Sequence, residues 1–326
     1  MALPRVLIVT TGGTIAGARG PSGVVAPALG PVDLLARVPA AAAHARCDVD
    51  PWLTIPSSAV RFDDMLALAG RIEAAFADPG LAGVVVTHGT ATLEQTAYFL
   101  DVTLGEDRPV VLTGAMRNPT LPSDDGPLNL LNAIQVAACG RSRGLGVLVV
   151  MNGTIHCARD VTKTHSVNAA AFQSPEFGPL GAVDENHVFY ARRPFTRLGA
   201  AMPVAITARV ERIPFAADSS DVLLRAALEA KSDGVVVESA RLSAAQIAPL
   251  TGAMDRGTTV VVANPFFTGR LHRDTYRHEG AEAHLLSLGM IFSGTSGLKA
   301  RVKLTALLSA GLPREEIRAL FHAEWQ

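Results

Sequence analysis

Short β-branched runs along the first half of the chain alternate with longer segments in which apolar residues recur every three or four positions. The runs are VLIVT (6–10), GVVVT (83–87), PVVLTG (109–114) and GVLVVM (146–151). Strands that alternate with helical segments in this way are the signature of right-handed βαβ units on a parallel sheet. The pattern therefore predicts an α/β fold.

Helix boundaries are indicated by turn-forming residues. The periodic segment 63–76 is followed by Asp78-Pro79-Gly80, which cannot continue a helix. A second helix is predicted over 126–138, where Pro127 suits the first turn and Gly140 the end. The polar stretch after the run at 83–87 leads into another helical pattern.

The pattern of apolar and polar residues changes at RRPFTRLGAAMP (192–203). This segment carries charged residues and two prolines and has no helical or strand periodicity. We interpret this segment as a linker. It separates a predicted catalytic domain, 1–191, from a predicted C-terminal α/β domain, 203–326, with the linker at 192–202. The second domain is predicted to alternate the apolar runs 203–210, 234–239, 258–264 and 289–294 with helices over 220–231 and 243–256, and to close with two helices. The expected fold is a larger N-terminal parallel-sheet domain plus a smaller C-terminal α/β domain.

Composition narrows the class of partner. The chain has 326 residues, 48% of them apolar and 18% charged, with a formal net charge of −1. These values argue against disorder and against broad electrostatic attraction to nucleic acid or an anionic membrane. No apolar run has the length of a membrane span, and Met1 to Arg5 leads into the first strand without a signal-peptide pattern. We expect a cytoplasmic protein whose partner is a small molecule.

Metal and nucleotide sites are not indicated. The three cysteines have no CxxC spacing, and His156 beside Cys157 supplies too few ligands for zinc. The first glycine turn reads G-G-x-x-x-G, which is neither a dinucleotide fingerprint nor a phosphate loop. We therefore expect no metal and no organic cofactor.

Three polar clusters mark where chemistry is expected. They are TTGGTIAG (10–17), THGTAT (87–92) and RDVTKTHS (159–166), and each follows a predicted strand. Ligands of open α/β sheets bind outside the carboxyl ends of the strands. Thr14 by itself is best explained as a helix cap, and Lys163 by itself as a solvated charge. Together they suggest more, because a buried, neutral lysine could take the proton from a threonine hydroxyl and so make it a nucleophile.

Several motifs in order resemble the bacterial-type L-asparaginase/glutaminase family over nearly the whole chain. They are TGGTIAG, THGTATLEQTAYFLD, TGAMR with SDDGPLNL, and ARDVTKT. The resemblance implies a threonine nucleophile at Thr14, a second reacting pair at Thr90 and Lys163, and substrate-binding positions at Ser57, Gly89, Ala91 and Ala115. It also implies cofactor-free hydrolysis of a small-molecule amide, L-asparagine by default, in a homodimer or homotetramer.

The sequence departs from the family at Ala91, where the resemblance implies an aspartate that holds the lysine and receives the substrate's α-ammonium. The loop tyrosine of the family is replaced near Val24, and Ser58, Ala59 and Val60 follow Ser57 where the family has stronger polar groups. The segment ESARLS (238–243) does not match, so no role is transferred to it. Free asparagine should bind less well, while Lys163 should lose its proton more easily.

Three hypotheses follow. An ordinary asparaginase would need another carboxylate, with Glu94, Glu238 or a neighbouring subunit as sources. A hydrolase of the same chemistry could act on a different amide, ester or lactone that lacks a free α-amino group. A non-catalytic ligand-binding relative would have no use for Thr14, Thr90 and Lys163 together. Without the aspartate, Lys163 needs another hydrogen-bond partner, and Thr92 and His88 are the candidates, although His88 suits a packed supporting position better.

Overall fold

The computed structural model describes residues 2–20, 23–194, 199, 202–239 and 241–325, and of residue 325 only the backbone. The chain divides into two compact units, 1–200 and 201–326. The predicted linker, 192–202, falls partly on residues 195–198, 200 and 201, which lie outside the described residues. Its exact limits stay a prediction.

The N-terminal unit is built on a mixed sheet. Its strands are β1 (Arg5–Gly12), β2 (Gly17–Arg19), β3 (Val25–Pro27), β4 (Arg46–Ile55), β5 (Leu81–Thr87), β6 (Val110–Thr113), β7 (Val147–Met151), β8 (Thr154–Cys157), β9 (Thr162–Lys163), β10 (Phe172–Gln173), β11 (Gly181–Asp184) and β12 (His187–Tyr190). Its helices are α1 (Pro31–Ala36), α2 (Phe62–Phe76), α3 (Leu93–Thr103) and α4 (Gly126–Ala138). Within the described residues, eight strands form the main sheet in the order β12-β11-β8-β7-β6-β5-β1-β4.

Strands β4, β1, β5, β6 and β7 run parallel, as the pattern predicts. Alternate residues of these strands, such as Ile8, Val85 and Leu148, pack in one core cluster with α4. Their neighbours Val9, Val84 and Val149 are equally buried, so both faces of the sheet are covered. Burial on both faces explains why these strands are continuous apolar runs in the sequence.

The sheet continues past β7 in a way that the apolar pattern does not indicate. Strand β8 returns antiparallel to β7, and β11 and β12 extend the sheet as an antiparallel hairpin. Strand β4 occupies the opposite edge, and its residues are half-buried or exposed. The edge strands β12 and β4 carry mixed polar and apolar residues, and β8 and β11 are only four residues long, which explains why the sequence pattern misses these strands.

The C-terminal unit has its own parallel sheet, in the order β13-β14-β15-β16. Its strands are β13 (Val210–Pro214), β14 (Gly234–Glu238), β15 (Thr259–Asn264) and β16 (Ile291–Ser296). Its helices are α5 (Val222–Glu229), α6 (Ala244–Asp255), α7 (Glu282–Ser287), α8 (Gly297–Ser309) and α9 (Arg314–His322). The fold class expected from the sequence, a larger sheet domain and a smaller α/β domain, is confirmed.

One predicted strand of this unit is misplaced. The apolar run 203–210 was expected to open the unit, but β13 begins only at Val210. Val204 is fully exposed, and the paired residues are Val210 to Pro214, which lie beside Gly234 to Glu238. Pairing with β14 therefore determines where the strand begins, and the apolar residues before it do not.

No helix among the described residues is long and apolar enough to cross a membrane.

Candidate active site

The first glycine turn carries Thr14 from the end of β1 into a single 3-10 turn, Thr14–Ala16. Gly12 and Gly13 have φ values of 99° and 81°, in the left-handed region that favours glycine. A Cβ atom on Gly13 would lie 2.4 Å from the Cα of Gly89. Gly13 therefore lets the Thr14 turn lie directly against the turn that follows β5, while Gly12 lies against Ile55 at the end of β4.

That second turn contains Thr90 and Ala91, between the end of β5 and the start of α3. It also lies against Ser57, since a Cβ atom on Gly89 would be 2.6 Å from Ser57 Oγ. The backbone N–H of Ala91 donates to Ser57 Oγ at 3.2 Å, and Thr92 Oγ1 donates to the Ser57 carbonyl at 2.8 Å. Three turns, each at the carboxyl end of a parallel strand, thus meet at one point.

Lys163 reaches this point from a distant part of the chain. Its Nζ lies 2.9 Å from Thr90 Oγ1, and its backbone N–H donates to Glu94 Oε2 at 3.2 Å. Burial lowers the pKa of the Lys163 ammonium, and the nearby carboxylate of Glu94 partly opposes this by raising it. A lowered pKa makes the neutral amine, which can accept a proton, more accessible near neutral pH.

The cavity at the meeting point has a volume of about 360 Å³. Thr14, Ser57, Gly89, Thr90 and Ala91 all line it. The other lining residues are Gly13, Gly17, Val25, Ala26, Pro27, Pro56, Ser58 and Asn118. Among the described residues of this unit, the lining contains no ionisable side chain. A site of this size suits a small ligand.

Ala115 is placed differently from the other expected substrate-binding residues. It is fully buried in the main core cluster and, within the described part of the unit, is not among the residues that line the cavity. Its role in substrate binding therefore stays a prediction.

The structure also places the other residues that the sequence singled out. Val24 is 64% exposed, and the hairpin formed by β2 and β3 presents Val25 to the cavity instead. Asn118 is a lining residue that sequence reasoning missed, because nothing in its local pattern sets it apart.

Neither proposed substitute partner contacts the Lys163 amine in the described structure. His88 is buried, with Nδ1 2.8 Å from the Gly89 carbonyl and Nε2 3.1 Å from Thr96 Oγ1. Complete burial lowers the pKa of His88 to about 4, and the hydrogen bond to Gly89 only partly opposes this. His88 is therefore a neutral packing residue beneath the turn, while Thr92 is bonded to Ser57.

The two candidate carboxylates differ in position. Glu94 lies beside the Lys163 backbone but does not line the cavity among the described residues. Glu238 belongs to the C-terminal unit, where it forms an ion pair with Arg212 at 2.5 Å. Within the described residues, no cluster of three or more histidine, cysteine or acidic side chains is arranged to hold a metal ion.

Comparisons with known proteins show which sequences this chain is similar to. The chain matches the family models "Asparaginase, N-terminal" over residues 5–196 and "Glutaminase/Asparaginase C-terminal domain" over residues 209–321. It is 35% identical to "L-asparaginase 2" of Escherichia coli K12, with 99% of this chain and 94% of that protein covered. It is 37% identical to "Probable L-asparaginase periplasmic" of Haemophilus influenzae, with 94% and 89% covered.

A solved structure extends the likeness to the whole fold. The probable cytoplasmic L-asparaginase of Campylobacter jejuni superposes with a TM-score of 0.86 at 32% identity. The superposition covers 98% of this chain and 99% of that one. The similarity therefore spans both units.

Proposed function

Since this chain belongs to the asparaginase family and is a hydrolase acting on amides, we propose that Thr14 is its nucleophile and that its substrate carries no free α-ammonium group. One observation carries the proposal. The cavity lined by Thr14 and Thr90 presents no ionisable side chain among the described residues that line it, and Lys163 lies behind Thr90, 2.9 Å from its hydroxyl oxygen. A substrate ammonium would therefore lack a counter-charge within this unit.

The proposed reaction has two steps. The Thr14 hydroxyl oxygen attacks the amide carbon, while the Thr90–Lys163 pair takes up the hydroxyl proton and supplies a proton to the leaving nitrogen, which departs as ammonia. Water then cleaves the resulting ester, releasing the carboxylic acid and restoring Thr14. Backbone N–H groups in the turn at Gly89 would stabilise the negative oxygen that develops in each step.

Hydrolysis of L-asparagine is the second candidate, and the names of the relatives favour it. It requires a carboxylate for the substrate ammonium that this unit does not supply along the described lining. The same chemistry would also cleave esters and lactones that lack an ammonium group. The non-catalytic alternative is set aside because named L-asparaginases match the whole chain.

Ammonia release tests the proposal. Wild-type protein is expected to release ammonia from N-acetyl-L-asparagine or succinamic acid, neither of which carries an ammonium. Thr14→Ala should lower that rate on the order of a thousandfold or more, because removal of a nucleophile leaves only binding and electrostatic contributions. Thr207→Ala, at an exposed threonine of the C-terminal unit, is the control and should retain the rate. Unchanged ammonia release by Thr14→Ala would contradict the assignment.

The remaining expectations belong to the same proposal. We propose a homodimer or homotetramer that needs no cofactor, located in the cytoplasm. The Campylobacter relative is named cytoplasmic, whereas the Haemophilus relative is named periplasmic. Ser57, Gly89, Ala91 and Ala115 are proposed as substrate-binding positions, with the catalytic domain limited to 1–191 and the C-terminal domain to 203–326.

A further inference from the structure

Asn118 lines the cavity and has a side-chain amide whose orientation is set by Thr120. Its Oδ1 accepts hydrogen bonds from the Thr120 backbone N–H at 2.9 Å and from Thr120 Oγ1 at 2.6 Å. A backbone N–H can only donate, so the atom that faces Thr120 must be the oxygen of the Asn118 amide. The Nδ2 group therefore points away from Thr120, and it donates to no acceptor among the described residues.

The position of Asn118 relates this donor to the reacting groups. A Cβ atom on Gly17 would lie 3.3 Å from Asn118 Cβ, 3.1 Å from Val25 Cγ1 and 3.0 Å from the Thr14 carbonyl oxygen. Asn118 is thus packed between the Thr14 turn and the β2–β3 hairpin, and it lines the same cavity as Thr90 and Ala91.

The surroundings select the kind of oxygen that this donor would meet. Val25, Ala26 and Pro27 make the wall beside Asn118 apolar, and the described lining supplies no cation. A carboxylate placed against this apolar wall costs more than a neutral carbonyl that gains one hydrogen bond from Asn118, so the ligand's own carboxylate belongs away from this wall. An uncharged carbonyl oxygen is therefore the ligand group that fits.

Ala91 supplies the second half of the argument. A positively charged substrate amino group would need a negatively charged side chain, and the described lining, which includes Ala91, provides none. Acylation of the amino group removes its positive charge and, in the same step, adds a neutral carbonyl oxygen with an apolar substituent. A neutral group suits a lining without ionisable side chains, and the new carbonyl oxygen could accept the hydrogen bond that Asn118 offers.

We propose that Asn118 is a specificity-determining residue whose Nδ2–H donates to the acyl oxygen of an N-acylated asparagine-like amide. This inference rests on the proposed function, since it names the substrate class of that same site. It predicts selective binding of N-acetyl-L-asparagine over succinamic acid, which has the same reacting amide and carboxylate but no acylamino substituent.

Binding can be measured apart from turnover. Full-length protein with Thr14→Ala is titrated calorimetrically with each probe, and N-acetyl-L-asparagine should bind about 3- to 10-fold more tightly, the ratio expected of one added neutral hydrogen bond. Adding Asn118→Ala should reduce this ratio to about one. Adding Asn118→Asp should do the same, because the carboxylate still accepts from Thr120 but cannot donate to the ligand.

Asn168→Asp is the matched control. Asn168 Oδ1 accepts from the Ala170 backbone N–H at 2.9 Å, in the same local turn arrangement, but its side chain is exposed and lies outside the cavity lining. This variant should keep the wild-type ratio. If Asn118→Asp keeps the ratio while Asn118→Ala loses it, Asn118 only shapes its turn and the inference is overturned.

The two proposals fail in different ways. A ratio that does not respond to either Asn118 variant, or the absence of binding by N-acetyl-L-asparagine, overturns the substrate class. Absence of ammonia release from any amide by protein with Thr14 intact overturns the proposed function, and the binding ratio still decides the role of Asn118.

Discussion

At the scale of single residues, the proposed replacement of a family aspartate by Ala91 would have two opposing effects on the site. Loss of a carboxylate removes the partner of a substrate ammonium, and an uncompensated buried charge costs about 3–5 kcal/mol. Because Ala91 is exposed at the cavity wall, water should reduce that cost here. The same loss favours the neutral amine of Lys163, whose pKa burial already lowers. On this proposal, the residue change would weaken recognition of free asparagine and would leave proton transfer by Lys163 intact.

Ala91→Asp should raise kcat/KM for L-asparagine about tenfold or more, because it restores an anion for the ammonium. It should also move the acidic limb of the pH profile to higher pH. In the proposed mechanism activity needs neutral Lys163 and so rises with pH through the pKa of that residue, and a new carboxylate would raise this pKa. Steady-state ammonia release across the pH range measures both effects.

Ala91→Asn is the control for shape, since it adds a polar side chain of similar size without charge. It should leave the acidic limb where the wild type has it. An Ala91→Asp protein with unchanged or lower kcat/KM for L-asparagine would show that the missing carboxylate does not limit the enzyme.

At the scale of elements, the start of α4 positions the segment that leads to Asn118. The Asp125 carboxylate accepts from the backbone N–H groups of Met116 at 3.1 Å and Arg117 at 2.8 Å, and from Asn129 Nδ2 at 3.0 Å. One side chain thus connects the turn after β6 to the helix N-terminus. The location of Asn118 depends on this connection, because Asn118 directly follows the two bound peptides.

Asp125→Ala should lower the free energy of unfolding by about 1–3 kcal/mol, since it leaves three donors without their acceptor. Asp63→Ala is the comparison, because Asp63 is an exposed acid near the start of α2 whose contact with Arg61 is 4.0 Å long. That variant should change stability by less than about 0.5 kcal/mol. Urea unfolding of both variants measures the difference. Equal free energies of unfolding for Asp125→Ala and Asp63→Ala would show that Asp125 does not stabilise the segment before Asn118.

At the scale of the whole molecule, each unit has a core of its own, and the C-terminal core contains a buried ion pair. Lys303 Nζ lies 2.6 Å from Glu324 Oε1, and both side chains are 1% exposed. Lys303 also donates to the Leu320 carbonyl at 2.8 Å, while Glu324 Oε2 accepts from the Gly294 backbone N–H at 2.8 Å. Glu324, which follows α9, thus contacts both α8, through Lys303, and β16, through Gly294.

Glu324→Gln should destabilise the protein by about 3–5 kcal/mol, because it removes the carboxylate that forms the buried ion pair with Lys303. Glu315→Gln changes an acid that is 83% exposed and should be nearly neutral. Denaturant unfolding followed by circular dichroism compares the two variants. Similar midpoints for Glu324→Gln and wild type would mean that the ion pair adds no stability to the C-terminal unit.

The sequence by itself determined the elements whose burial repeats along the chain. Strands buried on both faces, such as β5 and β7, are unbroken apolar runs, and the predicted helix 126–138 coincides with α4. The glycine turn and the threonines near the site could also be predicted from the sequence. Glycines that allow left-handed backbone and polar residues that follow an apolar strand are local features of the sequence. Family motifs then gave the class of chemistry.

Only the tertiary structure decided the edges of the sheet and the composition of the cavity. Half-exposed β4 and the antiparallel β8, β11 and β12 lack the contrast between apolar and polar positions that a pattern needs. Lys163 meets Thr90 across 73 positions of chain, and Asn118 and Val25 meet beside Gly17. Such contacts depend on how distant turns converge, which local propensity does not specify. The sequence therefore determined which chemical groups were available, whereas the packing of three turns decided which of them line the cavity.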